Sequence, residues 1–162
     1  MRFAASFTEN GQDGAVKIDA TDQAIIAALK EDGRTPFAQI AQRLGVSTGM
    51  VRQRYQRLVK EGVLQVAAIT NPMLLGYSTM ALIGLKVESG LFDQVAEQLA
   101  QFPEVIYLVY ATGSYDLLLE VICRDNDHLL EFLTRRLHAI EGIRETETFM
   151  YLKIIKESYT LP

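Results

Sequence analysis

Apolar positions change their period once along this chain, near residue 79. From Ile18 to Leu64 they recur at helical spacing. Ile25, Ile26 and Leu29 form the inner face of a first helix that opens at Ile18-Asp19. Asp19 can cap it and Asp22 stands at the third position, an acidic capping box that also suits the helix dipole. Asp32-Gly33 ends it. Phe37, Ile40, Ala41 and Leu44 then fall at i, i+3, i+4 and i+7, one apolar face of a second helix. Thr35 is placed to cap this helix, Pro36 takes its first position, and Gly45 supplies a left-handed stop. Only Val46 separates that stop from Ser47, the cap expected for a third helix ending at Gly62. Its inward stripe is Val51, Tyr55 and Leu58. Helices joined so closely must cross steeply, which is helix-turn-helix geometry.

From Thr79 the pattern mixes strand-like runs with helical stripes. Met80–Val87 reads as a strand, and Leu91–Phe102 as a helix that Pro103 ends. Val105–Ala111 and Leu117–Cys123 read as two strands joined by Thr112-Gly113-Ser114. Asp125 or Asn126 can cap a helix with the stripe Leu129, Leu130, Leu133 and Leu137, and Thr146–Ile155 reads as a fourth strand. The order is βαββαβ, a ferredoxin-like arrangement. The chain is thus α+β: an N-terminal three-helix helix-turn-helix, winged-helix-like unit over 17–64, and a βαββαβ domain over 79–156. Val63–Ile69 reads as an extended strand running into a linker or hinge over 65–78, and that strand would pair with its counterpart in a second chain. Residues 1–16 hold Asn10-Gly11 and Asp13-Gly14 without a sustained period and read as a flexible arm. Residues 157–162 read as a tail.

Charge separates the same two regions. Residues 1–70 hold nine Lys/Arg against seven Asp/Glu, and residues 71–162 hold seven against thirteen. From Arg34 to Lys60 there are six basic residues and no acid, in a chain of net charge -4. That bias points the helical unit at phosphate and implies a different task for the second domain. With the third helix's apolar stripe turned inward, Thr48, Gly49, Arg52, Gln53 and Gln56 lie outward, where they would enter a DNA major groove. Arg52 can donate to guanine, and Gln53 or Gln56 can pair with adenine. Arg54, Arg57 and Lys60 suit backbone phosphate or neighbouring acids, and Arg34 adds a further cation. The competing reading is a solvated basic face on an ordinary helical pair.

Val105–Tyr110 and Leu117–Leu119 show no polar face. Two helices cover only one side of a four-stranded sheet, so the other side would expose a large apolar patch. A second copy stacked on it would make a homodimer, and its two-fold axis would fix the spacing of two recognition helices for palindromic half-sites.

Taken together the two halves resemble the leucine-responsive regulator/AsnC (Lrp/AsnC) family of feast/famine transcription regulators. The resemblance is carried by Ile18-Asp19 with Asp22 and Ile25-Ile26, by Glu31-Asp32-Gly33-Arg34, and by Ile40-Ala41 with Leu44-Gly45-Val46-Ser47. It continues through Val51, Arg54, Arg57-Leu58, Gly62-Val63-Leu64 and the Gly-x-x-Asp loop Gly113-Ser114-Tyr115-Asp116. Tyr55, Gly49 and Val59 depart from its usual pattern, so base preference is not carried over. The resemblance implies a sequence-specific regulator bound to double-stranded DNA in a bacterial or archaeal cytoplasm, associated with the nucleoid. It also implies a small-molecule effector, usually an amino acid, bound near that loop at subunit contacts, and an octamer of four dimers as the higher assembly. In the loop, Gly113 would let backbone N–H groups approach a carboxylate, Asp116 would accept from an ammonium, and Tyr115 would wall the pocket, with Ser114 beside them. Thr146, Glu147 and Thr148 offer further polar groups. The plain alternative is a β-turn in which Asp116 bonds backbone.

Other chemistry finds little support. Cys123 alone cannot form an intramolecular disulfide and reads as a buried small hydrophobe. His128 and His138 lie ten residues apart, at neither i+3 nor i+4 spacing, so no metal site is expected. There is no phosphate loop, no nucleotide fingerprint and no recognisable catalytic set, so neither cofactor nor enzymatic activity is expected. A metabolite-binding module or small enzyme with a vestigial helical unit is the second hypothesis, since fold alone excludes neither. A protein–protein adaptor is a third. No stretch reaches the ~20 apolar residues of a membrane span, and no signal-peptide pattern opens the chain.

Overall fold

The structure, a computed structural model, describes residues 16–156. These divide into two compact units, residues 16–69 and 70–156. Most of the arm expected at 1–16, and the tail at 157–162, lie outside the described residues.

In the first unit α1 spans Ala20–Glu31, α2 Phe37–Leu44 and α3 Thr48–Lys60. The capping box forms as expected. The Asp19 side chain accepts from the Asp22 N–H at 2.9 Å, and Asp22 accepts from the Asp19 N–H at 3.1 Å. Gly45 ends α2 at φ 65°, a conformation in which a side chain would be strained. Ser47 caps α3 by accepting from the Met50 N–H. Thr35 does not cap α2. Its hydroxyl donates to the Asp32 carbonyl at 2.8 Å, and Pro36 becomes the cap residue, so the helix begins at Phe37. Ile25, Leu29, Ile40, Ala41 and Val51 form the core, with the Phe37 and Tyr55 rings 5.0 Å apart beside it. The strand expected over Val63–Ile69 is absent, because a lone extended segment finds no ladder partner in its own chain. A short 3₁₀ turn at Pro72–Leu75 follows.

In the second unit β1 spans Thr79–Val87, α4 Phe92–Leu99, β2 Val105–Tyr110, β3 Leu117–Cys123, α5 Asn126–Glu131 and β4 Ile143–Met150. The strands form one antiparallel sheet in the order β2-β3-β1-β4. This is the expected βαββαβ order, with β4 lying earlier than the Thr146–Ile155 predicted. Asp125 caps α5. The helix then opens into a π-turn over Phe132–Arg136 and a 3₁₀ turn over Leu137–Ala139. Leu129, Phe132 and Leu137 are buried, while Leu130 of the expected stripe is exposed. Ala81, Ile83, Leu85 and Val87 of β1 and Leu117, Leu119, Val121 and Cys123 of β3 turn toward the helices and make the core. Cys123 is buried, and desolvation raises its thiol pKa to about 11.

Candidate nucleic-acid interface and effector loop

α3 carries its basic residues in two groups. Arg54 and Arg57 turn back onto the start of α1. Arg54 bonds Asp19 and Asp22, and Arg57 bonds Asp22. Asp22 has no exposed surface and is the carboxylate on which both arginines converge. Burial pushes its pKa up, but the Asp19 N–H and the guanidinium groups of Arg57 and Arg54 outweigh that and hold it below the ordinary 3.8. The Asp22 N–H and then Arg54 likewise lower Asp19. Of the two roles the sequence allows these arginines, the structure displays the contact with acids. The pairing spans more than thirty residues, and the only local sign of it is the pair of acids in the capping box.

The second group faces solvent. Thr48, Gly49, Arg52, Gln53, Gln56 and Lys60 are exposed on α3, and Arg34 is exposed before α2. Among the described residues, Arg34, Arg52 and Lys60 enter no ion pair. Gly49, Gln53, Gln56 and Lys60 follow one another at i, i+4, i+7 and i+11, the stripe opposite buried Val51 and Leu58. An α-helix presenting amide and guanidinium groups along one side has the width and donors to enter a major groove.

The candidate effector loop joins β2 to β3. Gly113 adopts φ 120°, and it and Ser114 are exposed. Asp116 is already engaged: its N–H donates to the Leu85 carbonyl and its Oδ2 accepts from the Val87 N–H, both at 2.8 Å. The carboxylate ties the loop to the end of β1 across the β-bulge there. Tyr115 lies over Gly84 on the sheet face away from the helices. A Cβ at residue 84 would stand 2.6 Å from that ring, and Phe149 packs edge-on 6.5 Å away. The β4 residues divide by alternation. Glu147, opposite Gly84, shares Tyr115's face, whereas Thr148, opposite Ile83, faces the helices with Thr146. Thr146 meets His138 at 3.2 Å. The three therefore do not line one site on one side of the sheet.

That uncovered side carries Leu82, Leu118, Ile122, Tyr107, Val109 and Phe149, with Tyr107 55% and Phe149 43% exposed. On the covered side the π-turn brings Arg136 to Glu104, whose two oxygens each lie 2.8 Å from its Nη1, and His128 approaches the same carboxylate at 3.1 Å. No local pattern marks Glu104, because its partners lie 24 and 32 residues away. The two histidines share no site, and no group of three metal-binding side chains occurs among the described residues.

A helix-turn-helix with a free basic face, joined to a βαββαβ domain with an uncovered sheet, defines the class of two-domain transcription regulators. Residues 18–59 match the AsnC-type helix-turn-helix domain, and residues 80–161 match the Lrp/AsnC ligand binding domain. The chain belongs to the Lrp/AsnC family. It is 39% identical over 145 residues to an HTH-type transcriptional regulator of Pyrococcus horikoshii, covering 89% of this chain and 92% of that one. Escherichia coli AsnC shares the fold with a TM-score of 0.83 and 30% identity, over 91% of this chain and 100% of that one. A transcriptional regulator of Neisseria meningitidis, solved as an L-Met complex, matches with a TM-score of 0.81 and 26% identity over 90% and 97% of the two chains.

Proposed function

We propose that the free face of α3 reads the DNA major groove. Thr48, Gly49, Arg52, Gln53 and Gln56 face the base edges, and Lys60 and Arg34 meet phosphate. The observation that carries this is the division among the basic residues. Arg54 and Arg57 are held by Asp19 and Asp22, while Arg52 and Lys60 stand free beside two glutamines. Arg54 and Arg57 serve this surface by fixing α3 on α1. Selection of bound duplexes from a random library, followed by mobility shift against competitor DNA, tests it. A reproducible sequence bound through competitor supports the reading, and equal binding of all duplexes refutes it.

The second domain pairs with its counterpart through the uncovered sheet face, giving a homodimer whose four-fold repetition is the octamer the family implies. A small amino acid binds beside the 112–116 loop, a reading supported by the L-Met complex of the Neisseria relative. Gly113, Ser114 and Tyr115, with Glu147 on Tyr115's side of the sheet, are its contacts. Asp116 positions the loop through Val87. The protein acts by binding in the cytoplasm and performs no catalysis. Calorimetry with the twenty amino acids tests the effector, with heat from one or a few expected and none contradicting it.

A further inference from the structure

Gly49 is a glycine that the fold does not need. It sits inside α3 with helical backbone, outside the positive-φ conformations that favour glycine. A Cβ built on it would meet only the Ser47 hydroxyl, at an ordinary 3.9 Å. Glycine is a poor helix former, so alanine there would steady α3 at no steric cost. The residue nonetheless occupies the outward stripe with Gln53, Gln56 and Lys60, at the end of the helix whose side chains reach base edges in helix-turn-helix complexes. A missing side chain at that place has one physical consequence: the backbone can approach a surface more closely.

Resting on the DNA reading of α3, we infer that Gly49 is a specificity-determining residue. It lets the first turn of α3 lie against the base edges of the major groove, at a distance that any side chain would forbid. Gln53, one turn on, reaches its base from that closer position. Sequence preference therefore depends on an atom that is absent. Ordinary side-chain reasoning at residue 49, where no donor or acceptor exists, overlooks such a contact.

The test uses the full chain and the duplex that it selects from a random library. Gly49→Ala and Gly49→Ser are compared with the parent for melting temperature, affinity for that duplex and for an unrelated one, and the sequence each variant itself selects. Gly49→Ala is expected to melt at the same or a higher temperature and to bind the selected duplex about tenfold more weakly, the effect of one spoiled base contact. Its affinity for unrelated duplex should change less than twofold, and its own selection should differ at the base pair beneath residue 49. Gly49→Ser should lose affinity similarly, since bulk rather than polarity is the obstacle. Unchanged affinity and an unchanged selected sequence in both variants overturn the inference while leaving the DNA reading intact. A lower melting temperature for Gly49→Ala also overturns it, because the fold would then require the glycine. A parent protein that selects no sequence removes the DNA reading itself, and the inference with it.

Discussion

The two units expose faces of opposite chemistry. The outer stripe of α3 is amide, guanidinium and ammonium, with Val51 and Leu58 turned inward. The uncovered sheet face is largely leucine, isoleucine, valine and aromatic rings, with Glu120 and Glu147 among them. The first face loses nothing in water and gains from a polyanion. The second is costly in water, at roughly 25 cal/mol per Å² of apolar surface, and gains from an apolar partner. One chain thus carries two surfaces that cannot exchange roles, which suits the proposed pairing through one and DNA reading through the other. Arginine marks the same division on a smaller scale. Asp22 draws Arg54 and Arg57 inward, and Glu104 draws Arg136.

Making the sheet face resemble the helix face should have the largest effect. Ile122→Asp places a charge beside Met80 and next to the Leu82–Glu120 pair on that side. Burying it against a second copy should weaken self-association by about 4 kcal/mol, and sedimentation velocity should show monomer. An unchanged oligomer would mean the copies meet elsewhere.

A smaller effect is expected from Asp22→Ala, which leaves Arg54 and Arg57 without their shared carboxylate. Both arginines keep partial contact with water, so the loss should be about 2 kcal/mol, between the buried and the surface limits. Denaturant unfolding would measure it. Acid probes the same network. The folded pKa values of Asp19 and Asp22 lie below 3.8. Their stabilisation is therefore complete above pH 3.8 and is lost as pH falls through the folded values. Asp22→Asn should flatten the acid limb of a stability–pH curve, and an unaltered limb would place the acid sensitivity elsewhere. At the small end, Arg52→Ala should weaken binding to a selected duplex by about 1–3 kcal/mol and relax one base position, with no loss of stability. A mobility shift with single-base variants of the duplex checks this.

Sequence made local structure legible and long-range structure only in part. The Asp19–Asp22 capping box, Gly45 and Ser47 depend on neighbours a few residues away, and each forms as the pattern indicates. β4 was misplaced because Phe149–Ile155 stays rich in apolar residues, whereas the ladder stops at Met150, opposite Ala81 near the start of β1. Only the partner strand sets that limit. Phe132 lies at i+3 from Leu129 and belongs to the buried stripe by the ordinary helical period, which the leucine pattern alone left out. Of the candidate sites, the exposed stripe of α3 follows from periodicity. The capture of Arg54 and Arg57, and the use of Asp116 to hold β1, arise from contacts at sequence separations of 29–35. The split of Thr146 and Thr148 from Glu147 was available from strand alternation alone.

Free and captured basic residues on one helix are proposed to do different work, and salt separates them. The affinity of the full chain for a selected duplex would be measured from low to moderate salt for the parent, Lys60→Ala and Arg57→Ala. Lys60→Ala is expected to lower the slope of log affinity against log salt by about 0.9, the release of one counterion, without loss of stability. Arg57→Ala should destabilise the protein and leave the slope unchanged. A slope that falls as far for Arg57→Ala as for Lys60→Ala, with stability intact, would show that Arg57 meets phosphate and would contradict the division.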